Sequence, residues 1–339
     1  MPITATPPKI TEVGALIRPS LMCMATESDT SLTLVSFGAL SPEDCNKLLV
    51  ATTPTIRRVS TAVPTLTYAE RRPSEPVRTL LTRDYLGFAQ PPGTSDRWLA
   101  TPTPTATVIV NTGGAFGGYP RAFATGLTDT HDVIEQVGAI ECVDLKLTPL
   151  GAYTLLGVPM DELTGRVVDL ADVLGPAGHR LTERLANTAG WDARFAVLDE
   201  FLLRRAEEGP TPAREVAWAW RRLVESCGVL SIGELAHEVG WSRRHLVTRF
   251  RQQVGLPPKT VARIVRFDGL LRRVGTAGRA AWSRIATECG YYDQAHMNRD
   301  FREFAGTTPT AFLARLPERM AERMAAEVTS VQYTWVPAG

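Results

Sequence analysis

Two stretches of sequence decide the fold of the second half of the chain. They are Leu230–Phe250, LSIGELAHEVGWSRRHLVTRF, and Trp282–Phe301, WSRIATECGYYDQAHMNRDF. Each has a short run with apolar residues at helical spacing, a glycine that ends the run, and a second helical run that carries Arg, His or Asn. The two glycines, Gly240 and Gly290, are 50 positions apart. This pattern predicts two helix-turn-helix units in tandem, and such a pair can read two successive major-groove faces of DNA.

Local signals mark where the helices of each unit begin. Ser231 followed by Glu234 forms a capping box, and Ser242 and Asp293 are suited to cap the second helix of each unit. With apolar residues such as Leu246 facing inward, polar side chains remain on the outer faces, where Arg can bind guanine and Gln can bind adenine. The predicted DNA contacts are Ser242, Arg243, Arg244, His245, Thr248, Arg249, Gln252, Gln294, His296, Asn298, Arg299 and Arg302.

The formal net charge of +1 hides an asymmetry between the two halves of the chain. Residues 1–210 hold 18 Lys and Arg against 24 Asp and Glu, whereas residues 211–316 hold 17 against 9. Positive charge that gathers on one domain favours a polyphosphate partner, because neutralised phosphates release their counterions. The basic segment is also the one with the tandem motifs, so charge and motif both indicate double-stranded DNA.

A stretch between the two units, Pro258–Val274, has a helical stripe of apolar residues. Pro258 suits a first helical turn, and a helix of this length spans about 25 Å. Such a connector would hold the two recognition helices in a fixed relation. Successive major grooves on one face of DNA lie about 34 Å apart, which is compatible with simultaneous docking.

The first half of the chain carries β signals followed by helical ones. Ile140, Cys142 and Asp144 alternate with Val143 and Leu145, which is typical of a strand. The glycine cluster 113–118 matches no phosphate-binding motif and is interpreted as a hairpin loop. The predicted fold class is α+β. Its parts are a mostly antiparallel β-rich sensor-like domain at 1–150, a helical connector or dimerisation region at 151–210, a DNA-binding domain at 211–316 and a tail at 317–339.

Composition excludes several classes of protein. Five scattered cysteines without a CxxC pair argue against a disulfide framework or a zinc site and favour a reducing cytoplasm. The chain shows no signal peptide and no run of about 18 apolar residues, so no membrane partner is expected. No nucleophile–base constellation stands out, so the chain is not expected to be an enzyme, and no cofactor or metal is expected.

Residues 229–316 resemble the DNA-binding domain of AraC/XylS-type transcription regulators. The positions that carry the resemblance are Ile232-x-x-Leu-Ala236, Ser242-x-Arg-x-Leu246, Phe250, Gly255-x-x-Pro258, Arg263, Arg266, Ile285-Ala286, Gly290-Tyr291, Asp293-Gln-Ala-His296, Phe301-Arg302, Phe304, Gly306 and Pro309. The resemblance implies a seven-helix domain that inserts one helix of each unit into DNA. The stretch 147–170 also resembles the region ahead of that domain in many actinobacterial members.

Members of this family often carry a cupin-like sensor barrel, so the resemblance implies a β domain of that kind. Only His131 and His179 occur before residue 210, which argues against a metal-binding cupin. The polar groups considered for a small-molecule effector are Trp98, Tyr119, Arg121, His131 and Lys146. The candidate partners are double-stranded DNA, a small-molecule effector, RNA polymerase and a second copy of the chain.

Two alternatives stay open at this stage. The first half could be a structural dimerisation domain of an effector-independent regulator. The chain could also respond to oxidation or alkylation through Cys142, which needs an activated thiol in an electropositive setting.

Overall fold

The structure, a computed structural model, describes residues 26–28, 31–33, 67–93, 95–277 and 282–315. The chain divides into two compact units, Met1–Thr61 and Ala62–Gly339. In the first unit, strand β1 (Thr26–Ser28) pairs antiparallel with β2 (Ser31–Thr33). The predicted tail at 317–339 lies outside the described residues, as does most of the first 60 residues of the predicted β-rich domain.

The second unit starts with antiparallel strands. They are β3 (Thr67–Arg71), β4 (Tyr85–Gln90), β5 (Ser95–Ala100), β6 (Ala106–Asn111), β7 (Ala122–Thr125), β8 (Asp132–Val137), β9 (Ile140–Leu147) and β10 (Val167–Asp169). Six of them form one sheet in the order β10-β7-β6-β9-β4-β3, and β5 pairs with β8. Every pairing is antiparallel, as the sequence predicted.

Helices account for most of the remaining described residues. They are α1 (Glu75–Arg78), α2 (Pro149–Leu156), α3 (Leu170–Leu174), α4 (Pro176–Asn187), α5 (Trp191–Glu208), α6 (Arg214–Glu225), α7 (Ile232–Glu238), α8 (Arg243–Val254), α9 (Pro258–Ala277), α10 (Trp282–Glu288), α11 (Gln294–Ala305) and α12 (Pro309–Arg315). A 3₁₀ turn at Met160–Glu162 precedes β10. An antiparallel sheet region is thus followed by a helical region, and the predicted α+β class is confirmed.

The large sheet buries both of its faces. Val143 and Leu145 of β9 point to one face, where they pack with Leu198 and Leu202 of α5. Cys142 points to the other face and joins an apolar cluster that also holds Ile109, Phe116, Phe123 and Ile140. The predicted alternation along β9 is therefore present, and it divides the sheet into a helix-covered face and an opposite face.

The helical region from α6 onward has a core of its own. Phe250, Phe267 and Phe301 have no exposed surface there, and burial of such aromatic side chains is a main source of domain stability. Leu127, which follows β7, is also fully buried in this core. The sheet region and the helical region therefore share packing within the second unit.

Candidate nucleic-acid interface

The first helix-turn-helix unit consists of α7, a turn and α8. Ser231 and Glu234 form the predicted capping box, with Ser231 N donating to Glu234 at 3.0 Å and Glu234 N donating to Ser231 Oγ at 3.1 Å. Gly240 ends the first helix at φ +69°, a value that favours glycine. Ser242 then caps α8 by accepting a hydrogen bond from His245 N at 3.2 Å. Each of these local predictions is confirmed.

The second unit repeats this arrangement with α10 and α11. Gly290 has φ +77°, and a Cβ at this position would lie 2.4 Å from Cγ2 of Val229. Asp293 caps α11 by accepting from His296 N at 2.7 Å. Both units thus present a capped recognition helix, whose first free N–H groups favour contact with negatively charged phosphate.

Packing decides which faces of α8 and α11 are available. Leu246 and Phe250 of α8, and Met297, Phe301 and Phe304 of α11, are fully buried. Of the predicted DNA contacts, eight are exposed: Ser242, Arg243, Arg244, His245, Thr248, Gln294, Arg299 and Arg302. Four are half-buried: Arg249, Gln252, His296 and Asn298.

Two groups of arginines stand out in the helical region. The first group holds the fold together. Arg263 pairs with Asp300 at 2.7 Å, and its hydrogen bond with Glu303 raises the pKa of the guanidinium above its ordinary value. Arg222 pairs with Glu238 at 3.1 Å, which lowers the pKa of that carboxyl group. Both side chains are occupied within the protein.

The second group of arginines lies on the recognition helices. Arg243, Arg244, Arg299 and Arg302 have no acidic partner within the described ranges 67–93, 95–277 and 282–315. Arg249 differs, because it donates to the Gln252 side chain at 2.7 Å. The guanidinium groups of this second group can therefore bind an outside anion without breaking an ion pair.

The two predicted histidine contacts occupy matching places in the repeat. His245 meets the Trp241 ring edge-on at 4.5 Å between centroids, and His296 meets the Tyr291 ring in the same way at 5.2 Å. Tyr291 is buried, and burial raises the pKa of its hydroxyl. Each histidine thus packs on the aromatic residue of its turn, which leaves only part of the imidazole for DNA.

The sheet region contacts the ends of both recognition helices. Thr164 Oγ1 donates to the carbonyl of Gly255, the residue that ends α8, at 3.1 Å. His131 lies against Gly306, which ends α11, and a Cβ at that glycine would be 2.5 Å from Nε2. An ion pair of 3.9 Å joins Asp161 to α8 through Arg251. These contacts of Asp161 and Thr164 could not be predicted from the sequence, because neither residue belongs to a periodic or spaced motif.

The residues considered for an effector do not gather in one place. Tyr119 is half-buried beside Phe116 and Phe123, and burial raises the pKa of its hydroxyl. Lys146 donates to Thr107 Oγ1 at 2.8 Å on the same sheet face.

The other candidate effector residues lie elsewhere. Arg121 is exposed and donates a hydrogen bond to the Asn111 carbonyl at 3.1 Å. His131 lies against Gly306 at the end of α11. Trp98 lies on β5 opposite Ile134, and its side chain is outside the described part of the structure.

A buried ion pair between Asp144 and Arg83 lies near Lys146 and was not predicted from the sequence. Asp144 is 7% exposed and pairs with Arg83 at 2.5 Å, while Lys146 Nζ lies 3.9 Å away from the same carboxylate. The alternation of residues along β9 places Asp144 on the same face as the buried Cys142, so its burial could be predicted. Nothing in the sequence indicates that Arg83 is its partner.

The chemistry of the sheet region gives little support to a reactive cysteine. Cys142 is fully buried, and burial raises the pKa of its thiol to about 12, so the thiolate is disfavoured. Within the described residues, no group of three or more His, Cys, Asp or Glu side chains is placed to hold a metal ion. No helix in that part of the chain combines the length and apolar character needed to cross a bilayer.

A family model described as a helix-turn-helix domain matches residues 235–315. No curated protein matches the chain.

Solved structures similar to the chain include ToxT from Vibrio cholerae, at 11% identity and a TM-score of 0.41, covering 68% of this chain and 98% of that one. ToxT from Vibrio cholerae O395 has 10% identity and a TM-score of 0.37, and the match covers 69% of this chain and 97% of that one. Unsaturated fatty acid bound wild-type ToxT from Vibrio cholerae strain SCE256 has 10% identity and a TM-score of 0.39, and the match covers 68% of this chain and 95% of that one. TM-scores below 0.5 assign no role to any residue of this chain.

The matched segment spans α8, α9, α10, α11 and α12 and begins inside α7. It includes both turn glycines, both helix caps and the four unpaired arginines. Residues 235–315 therefore form an AraC-type helix-turn-helix DNA-binding domain.

Proposed function

We propose that the chain is a sequence-specific transcription regulator that places α8 and α11 in two successive major grooves of DNA. One observation carries the proposal. Among the described residues, both capped recognition helices present exposed arginines without acidic partners, whereas Arg222 and Arg263 of the same helical region are held in ion pairs. Exposed guanidinium groups on a recognition helix can reach base edges or phosphates.

The remaining polar residues suit two kinds of contact, one with base edges and one with the phosphates of the DNA backbone. Gln294 at the first position of α11 has the amide needed for a bidentate bond to adenine. Ser242 and Thr248 have hydroxyls that suit phosphate oxygens, and phosphate contacts fix the register of a protein on DNA. The excess of basic residues in 211–316 adds the non-specific attraction on which specific binding builds.

The test of the regulator function is genome-wide mapping of binding sites for the full chain, combined with transcript levels in cells that lack it. We expect discrete sites upstream of genes whose transcripts change. Uniform coating of DNA, or sites without any transcript change nearby, would contradict a regulator. Sites near transcription starts would also support RNA polymerase as a partner.

We further propose that a small-molecule effector acts on this binding through the sheet region. The support is the pair of contacts that the sheet region makes with Gly255 and Gly306, at the matching ends of α8 and α11. A shift of the loops that carry Thr164 and His131 would change the relation between the two recognition helices. Such a differential contact is what an effector needs in order to couple two sites.

The sheet face opposite the helices is the proposed effector site. It joins the apolar cluster around Phe123 to the charged group of Arg83, Asp144 and Lys146. An apolar surface beside a few convergent polar groups is typical of ligand sites. The competing proposal, an effector-independent chain whose 151–210 helices form a dimer, predicts no ligand response.

A thermal-shift screen distinguishes these two proposals. We expect at least one compound in a panel of small organic acids and neutral metabolites to raise the Tm of the full chain by about 3 °C or more at saturation. Lys146→Ala should reduce the rise, and Lys259→Ala, an exposed lysine of the DNA-binding domain, should keep it. A panel without hits would favour the effector-independent chain.

Thr164→Val tests the contact between the sheet region and α8. Removal of the hydroxyl takes away its bond to the Gly255 carbonyl, so we expect a loss of about 1 kcal/mol in the free energy of unfolding. Amide hydrogen exchange should accelerate at residues 250–256. Thr182→Val is the matched control, because that hydroxyl bonds Gly178 within α4. Unchanged exchange at 250–256 would show that the contact does not restrain α8.

A further inference from the structure

The two helix-turn-helix units share a common register that breaks at a single residue. Up to the turn, equivalent residues are 50 positions apart: Trp241 N donates to Ala236 O, and Tyr291 N donates to Ala286 O. From the caps onward they are 51 apart, as the pairs Ser242/Asp293, His245/His296, Phe250/Phe301 and Gly255/Gly306 show. The second unit therefore contains one extra residue between Tyr291 and Asp293, which is Tyr292.

The surroundings of Tyr292 show that this extra residue does not serve packing. Its side chain is 92% exposed, while the preceding Tyr291 is 3% exposed. The cap that follows is more extended than its counterpart, with φ −152° and ψ 174° at Asp293 against φ −65° and ψ 148° at Ser242. The turn of the second unit thus accommodates an additional aromatic residue and leaves it in solvent.

The position of Tyr292 is directly before the N-terminus of α11. The first residues of a recognition helix meet base edges, so a residue just ahead of the cap lies at the rim of the groove beside the phosphate chain. Asp293, the acidic neighbour, is occupied as the helix cap, since its Oδ1 accepts from His296 N. Gln294 and Arg299 are exposed on the same helix.

We propose that Tyr292 is a further DNA contact, whose hydroxyl donates a hydrogen bond to a backbone phosphate oxygen at the edge of the groove read by α11. The inference rests on the proposed function. Tyrosine hydroxyls belong to the common phosphate ligands, and such bonds position a protein on the duplex. The first unit lacks an equivalent residue. The second unit would therefore make one more contact with the DNA backbone than the first.

Three measurements on the full chain test the proposal, with a DNA site selected by the wild-type protein. Tyr292→Phe should weaken binding about tenfold, because a hydrogen bond to a charged acceptor is lost. The dependence of the affinity on salt should keep its slope, because tyrosine carries no charge. A methylphosphonate in place of the contacted phosphate should weaken the wild type and leave Tyr292→Phe nearly unaffected. Tyr68→Phe, on β3 of the sheet region, is the control and should bind as the wild type does.

The outcomes separate this proposal from the proposed function. Normal DNA binding by Tyr292→Phe, with equal methylphosphonate effects on the variant and the wild type, would overturn the proposed contact. The proposed function would still hold in that case, provided that the wild type binds its DNA site specifically. Tight DNA binding by Tyr292→Phe with lost transcription would assign the residue to a protein partner and would also overturn the contact. A wild-type chain that binds no specific DNA would overturn both proposals.

Discussion

Replacing Arg243 and Arg244 together with alanine is expected to lower the affinity for specific DNA by about 100-fold or more. Both side chains are exposed at the first turn of α8, and neither has an acidic partner among the described residues. A bidentate arginine–guanine pair is worth about 1–3 kcal/mol, and about 1.4 kcal/mol corresponds to a factor of ten. Loss of two such contacts therefore corresponds to about 100-fold or more in affinity.

Fluorescence anisotropy with a labelled site over a range of salt concentrations measures this effect. The salt dependence also shows what each arginine contacts, because every lost phosphate contact reduces the slope by about 1. Arg180→Ala with Arg204→Ala removes two exposed positive charges from α4 and α5 and serves as the control. Specific affinity that survives the Arg243 and Arg244 changes would contradict the assignment of α8 as a recognition helix.

Asp300→Ala is expected to destabilise the helical region by about 2–3 kcal/mol. Asp300 is 1% exposed and accepts bonds from Nε and Nη2 of Arg263 at 3.2 and 2.7 Å. Removal of one partner of a buried pair leaves the other charge without compensation, which costs several kcal/mol. The loss here is smaller than the full penalty, because Arg263 keeps Glu303 and is partly exposed. Arg263 also covers the ring of Phe304, so its displacement reaches the core.

Urea denaturation followed by tryptophan fluorescence measures that loss. Glu303→Ala provides a closely matched control, since it removes the other carboxylate of the same arginine at an exposed site. Exposed ion pairs contribute about 0–1 kcal/mol, so this control should stay within that range. Equal destabilisation by the two variants would show that burial of Asp300 is not what gives the pair its strength.

Sequence predicts this molecule best where structure is local. The capping box at Ser231, the positive φ at Gly240 and the caps Ser242 and Asp293 depend on a few neighbouring residues, and each is present. The connector predicted over Pro258–Val274 is also a helix, α9, which the structure describes over Pro258–Ala277.

Contacts between distant parts of the chain could not be predicted. The sequence makes His131 a candidate polar group for an effector site, yet the side chain lies against Gly306, 175 positions later in the sequence. Thr164 meets Gly255 in the same way, without any motif at either residue. Tyr292 left a trace in the change of spacing from 50 to 51, but only the solvent exposure of its ring gave that trace a meaning.

Hydroxyl-radical footprinting of the full chain on its selected DNA site tests the central claim most directly. If α8 and α11 read successive major grooves, one monomer should protect two segments about 10 base pairs apart on one face of the duplex. Arg243→Ala with Arg244→Ala should remove protection from one segment, and Arg299→Ala with Arg302→Ala should remove it from the other. A single protected segment, lost equally in both variants, would contradict the bipartite reading of DNA.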